Sequence, residues 1–138
     1  MVAALWLGSG AFLLAVAAPA AFRAAGSPTI AANVVGAMLA AWHYIAIALP
    51  LILLALEWRR ARALMVIILF AGIVFGATQI VVDLRIRAIR ESSIVPISSL
   101  SPTDPVRRRF GALHGISSIL LLAQIVVAAG AVGAGTES

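Results

Sequence analysis

The chain contains neither cysteine nor lysine. Without thiols it forms no disulfide, holds no iron–sulfur cluster and builds no zinc–thiolate site, and its redox compartment stays open. Without lysine, its ten basic side chains are all arginine, a pattern that genome base composition explains as readily as function does. Charge is scarce altogether, at 11% of residues, and only five side chains are acidic. Those gaps exclude an ordinary soluble domain.

Apolar residues fill the chain instead, at 63%, with a mean hydropathy of +1.12. Such a composition belongs to integral membrane proteins. The 138 residues suit a single domain, with about four spans at roughly 20 residues each. The high isoelectric point is no nucleic-acid signal, because the arginines flank apolar runs as they do beside membrane spans. No nucleic-acid partner is expected; the bilayer is. Small residues at Ala17–Ala21 suggest a signal-peptide cleavage site, yet no Lys or Arg precedes Leu5. The first run therefore reads as a retained membrane helix.

The pattern predicts an all-α bundle of four transmembrane helices over residues 2–22, 29–56, 63–82 and 106–134. "RAAGSP" (23–28), "EWRRAR" (57–62) and "SSIVPISSLSPTDP" (92–105) separate them, and the Gly-rich end "GAVGAGTES" should fray. Pro50 should kink the second span, since it lacks an amide proton and crowds the carbonyl of Ala46. Beyond Val82, "DLRIRAIRE" should continue the third helix into the interface with its arginines snorkelling toward phosphates. Gly72/Gly76 and Gly111/Gly115 recur at the spacing that lets helix backbones approach. No internal repeat is evident.

Orientation follows from arginine. Arg23, Arg85, Arg87, Arg90 and Arg107 to Arg109 fall on one side, against Arg59, Arg60 and Arg62 on the other. The positive-inside rule places the richer side in the cytoplasm and both termini outside.

Polar residues within the spans form three stripes. Asn33, Gly36, Ala40 and His43 share a face of the second span, Gln79 and Asp83 a face of the third, and His114, Ser117, Leu121 and Gln124 a face of the fourth. Three such stripes cannot all face lipid, so the candidate interior cluster is His43, Gln79, Asp83, His114, Ser117 and Gln124. Its plain role is to pair across helices and fix register. Asp83 and His114 should lie at one level beneath the arginine rim and meet directly or through one water, with Arg23 and Arg107 to Arg109 as competitors. A carboxylate beside an imidazole would make a pH-responsive latch or a static hydrogen bond.

Two histidines invite a b-type haem, but their depths differ. His43 lies roughly 21 Å into its span and His114 roughly 7–12 Å into its own, from the same side. No HxxxH or HExxH spacing suggests a metal, no phosphate-binding glycine loop occurs, and the longest loop offers no nucleophile or base. The chain therefore reads as a non-enzyme, with no catalytic residue, metal or cofactor expected.

"FGALHGISSILLLAQ" (110–124), "DLRIRAIR" (83–90) and a first helix carrying "LWLG" and "APAAF" together resemble the transmembrane protein 205-like family. That family includes small bacterial four-helix membrane proteins. Phe110, His114 and Ser117 match its fourth-helix pattern, Trp6, Gly8, Pro19 and Phe22 its first helix, and Arg85 the arginine after its third. Leu121 stands where members often carry asparagine, and Leu84 where proline is common. The resemblance implies four helices in a bacterial inner (cytoplasmic) membrane, and no particular reaction. Three functions stay open: a structural or accessory subunit on a larger membrane complex or homo-oligomer, a small transporter or efflux component, and a haem- or quinone-binding redox module.

Overall fold

The structure, a computed structural model, describes residues 1–57, 59 and 63–136. Most of the polar turn expected at 57–62 and the last residues of the Gly-rich end lie outside them. Four helices carry the chain: α1 (Val2–Ala24), α2 (Pro28–Glu57), α3 (Ala63–Ser92) and α4 (Pro105–Thr136). All four are long and apolar enough to cross a membrane, and no strand occurs among the described residues. The fold is an all-α transmembrane bundle.

Local chemistry sets the helix ends. Ser27 caps α2, its Oγ accepting the Ile30 amide at 3.2 Å, with Pro28 as first helical residue. Asp104 does the same for α4, accepting the amides of Val106 at 2.7 Å and Arg107 at 3.4 Å ahead of Pro105. Between α3 and α4 the chain makes one short 3-10 turn, Ile97–Ser99. Within α1, Leu13–Ala17 winds as a π-helix just before Pro19. Proline has no amide for the carbonyl of Ala15 and its ring crowds that oxygen, so a wider turn there relieves the clash. Pro50 lies buried inside α2, and the helix runs on through it.

Neighbour contacts close a ring in the order α1–α2–α3–α4–α1, most extensive between α3 and α4. Tryptophans fill its centre, and glycines make room for them. A Cβ on Gly72 would run into the Trp6 indole, and one on Gly10 would come 2.7 Å from the Trp42 ring. Gly76 likewise holds Ile47. Gly72 and Gly76 are thus packing glycines inside the bundle. Gly111 and Gly115 differ: nothing lies within 4 Å of a Cβ at either.

Polarity is inverted relative to a soluble protein. Phe12, Ile67, Phe70 and Val126 stand exposed, while His43, Gln79 and Gln124 are fully buried and Ser117 nearly so. Hydrocarbon outside and polar pairs inside is the arrangement a bilayer favours.

Candidate functional site

Three helices bring their polar residues to one level. His43 of α2 places Nδ1 2.6 Å from Asp83 Oδ2 of α3, and the imidazole is sealed while the carboxylate side chain is 23% exposed. The contact is close, but it is not aligned as a hydrogen bond. One helical turn back, Gln79 donates from Nε2 to Asp83 Oδ1 at 3.2 Å and to Ser117 Oγ of α4. This amide orientation is the chemically sound one, because a carboxylate only accepts. The His43 contact is a close approach of imidazole and carboxylate rather than a hydrogen bond.

Neither ring nitrogen of His43 has a hydrogen-bond partner among the described residues, nor do Gln79 Oε1, both polar atoms of Gln124, or Trp6 Nε1. Gln124 sits deeper, its Nε2 3.5 Å from where a Cβ of Gly76 would be. The interior polar line thus runs from the half-exposed Asp83 through Gln79 and Ser117 toward Gln124. Chemically it is a carboxylate–imidazole pair steadied by an amide, able to hold a proton and to tie α2, α3 and α4 together.

His114 is not part of it. Asp83 is ion-paired with His43 and with no other basic residue among those described, so the expected Asp83–His114 contact gives way to Asp83–His43. The reason is helical phase. Ser117 and Gln124 turn inward, but His114 stands exposed on the outer side of α4, stacked on Phe110 with ring centroids 6.1 Å apart and planes 3° from parallel. The two histidines occupy different surroundings, one sealed and one outside. Asn33 also leaves its stripe: it is exposed and accepts from Arg90 Nη1 at 3.4 Å.

Sequence reasoning passed over a second chain of contacts beside the cluster. Trp42 stands edge-on to His43, centroids 5.8 Å apart, and donates from Nε1 to Ser9 Oγ at 3.1 Å. Ser9 in turn donates to the Trp6 carbonyl at 3.0 Å. The signal was present, because a buried indole N–H normally finds a partner and Ser9 is the single hydroxyl residue of α1. No group of three or more His, Cys, Asp or Glu side chains suited to a metal occurs among the described residues.

Fold and cluster together define a small, multi-pass integral membrane protein with a polar interior. Residues 1–93 match the model of a family described as a domain of unknown function (DUF4149), and the chain belongs to that family. The matched stretch holds α1, α2, α3 and with them His43, Gln79 and Asp83; α4 lies beyond it. No curated protein and no solved structure matches the chain.

Proposed function

We propose that the protein is a non-catalytic accessory subunit of the bacterial inner membrane, packed through α4 against a transmembrane helix of a larger complex. One observation carries this reading: the outward face of α4. Gly111, His114, Gly115 and Ser118 are all exposed there, at helical spacing. The His114 ring makes no hydrogen bond among the described residues, and Ser118 spends its hydroxyl on the His114 carbonyl at 3.0 Å. His114 sits about 9 Å along the helix from the Arg107–Arg109 rim. A polar ring facing lipid there is costly, whereas glycines on either side let a second backbone approach and bring it a partner. The interior cluster then acts as a register lock that presents this face. Kinship with the transmembrane protein 205-like family belongs to this reading too, since Phe110, His114 and Ser117 lie past the matched residues.

The test is purification of the tagged chain from native membranes in mild detergent, with in-membrane cross-linking from Ser118→Cys. A companion protein at constant stoichiometry, released by His114→Leu, supports the reading. A lone monodisperse chain that cross-links to nothing overturns it. The half-exposed Asp83 beside a sealed His43 favours one second reading, a proton-coupled transporter; it requires solute flux in liposomes that Asp83→Asn abolishes.

A further inference from the structure

At the arginine-rich end a cavity of about 730 Å³ opens between the first turns of α2, the end of α3, the 93–98 loop and the start of α4. Two guanidinium groups, both partly buried, line it. Arg107 is held by its Nη1, which donates to the carbonyls of Leu100 at 2.6 Å and Ser98 at 3.5 Å. Arg90 is held by Asn33 and lies over the Phe110 ring, 5.3 Å from its centroid. Each guanidinium carries five N–H donors, and the bonds just given use only Nη1. The remaining donors of two fixed forks are the pattern that binds phosphate oxygens. Glu91 also lines the cavity, at an exposed position, and the two arginines outnumber it, so the lining keeps a net positive charge.

Beside Thr29, Asn33, Ser93 and Ser98, the wall carries a run of apolar residues. Ile94, Val95, Pro96 and Ile97 follow one another along the loop, and Ile94 is completely exposed at the rim of a membrane bundle. A small soluble phosphate would leave that wall uncovered. A lipid would place its phosphate on the arginines and its glycerol and first methylenes on Ile94 and Phe110.

We infer that this cavity is a binding site for an anionic phospholipid drawn from the adjoining leaflet, with Arg90 and Arg107 gripping the phosphate. The site is distinct from the interior cluster and adjoins the outer face of α4 at Gly111.

Native mass spectrometry of the detergent-purified full chain tests it, with phosphatidylglycerol, phosphatidylcholine, diacylglycerol and soluble glycerol 3-phosphate as probes. One phosphatidylglycerol should be retained in preference to the other two lipids. The Arg90→Gln/Arg107→Gln double variant should weaken it tenfold or more, while Arg59→Gln, at the other end of the bundle, leaves it unchanged. Arg107→Lys keeps the charge but loses the forked geometry, and serves if the double variant does not fold; it should weaken retention severalfold. Glu91→Gln should hold the lipid at least as well as the native chain. Retention unaffected by the arginine variants overturns the site. Equal binding of glycerol 3-phosphate overturns the lipid as its occupant.

Discussion

Replacing Asp83 by alanine removes the one carboxylate on which two helices converge. The loss has two parts. The contact with His43 crosses from α3 to α2, and interhelical polar contacts in membranes contribute ~0.6 kcal/mol on average and up to ~1.7. The side chain also accepts from Gln79, so its removal leaves His43 Nδ1 without its ion-pair partner and withdraws one of the two acceptors of Gln79 Nε2. A buried donor left without a partner costs about 1–3 kcal/mol, less where the amide keeps Ser117. The expected destabilisation is therefore about 1–3 kcal/mol. Asp83→Asn should cost less, because its carbonyl oxygen still accepts from one neighbour. Unfolding of the purified bundle in mixed micelles with rising dodecyl sulfate, followed by tryptophan fluorescence, measures both. A double-mutant cycle with His43→Ala should return a coupling of about 1 kcal/mol between the two residues. Effects that add to within about 0.3 kcal/mol would show that the 2.6 Å contact carries no energy, and the reasoning would fail. His114→Ala serves as reference and should cost under about 0.5 kcal/mol, as an exposed residue does.

Gly72→Ala should destabilise the bundle by about 1–3 kcal/mol, because its Cβ lands on the buried Trp6 indole, and Trp6→Leu should recover part of the loss in the same unfolding assay. Gly111→Ala should leave the isolated bundle as stable as before, because nothing lies within 4 Å of the new Cβ, yet lower the yield of any co-purifying partner. Trp42→Phe should cost about 0.5–1.5 kcal/mol by deleting the indole donor to Ser9, and adding Ser9→Ala should cost much less than it does alone.

The parts of this molecule that could be read from sequence are those governed by chain-local physics. Apolar run length set four helices, and the stretches 23–28 and 92–105 marked the breaks before two of them. Helical spacing also grouped Gln79 with Asp83 and Ser117 with Gln124, pairs that both turn inward or toward the cluster. Helical phase between elements was not legible. Spacing makes His114 and Ser117 neighbours on one helix surface, but three residues subtend about 300°, so the two flank a face at a 60° offset. That offset suffices to bury Ser117 and expose His114. Without the rotation of α4 about its axis, no sequence argument could choose between His43 and His114 for Asp83. The loop cavity was illegible for another reason: it depends on the return path of residues 93–98, set by one short 3-10 turn and the Arg107 bonds to loop carbonyls.

Phe110 decides whether the two proposed surfaces are independent. Its ring lies under Arg90, at the cavity, and is stacked on His114, at the outer face of α4. If a partner helix covers His114 while a phospholipid occupies the cavity, the two bound surfaces meet at that ring and at Gly111, which lines the cavity and lies on the outer face. His114→Leu should then reduce partner retention and leave phosphatidylglycerol retention unchanged. Arg107→Gln should do the reverse, since its bonds go to Leu100 and Ser98 on the loop side. Phe110→Ala should weaken both, because it removes the aromatic face from Arg90 and the stacking support from His114 at once. The cation–π contact alone is worth about 0.5–2 kcal/mol, which corresponds to roughly a two- to thirtyfold loss of lipid. Native mass spectrometry of lipid and partner in one preparation reads all three variants together. Loss of both bound species in the His114 variant would mean that a single surface, continuous across Phe110, serves one ligand, and the division into two sites would have to be abandoned.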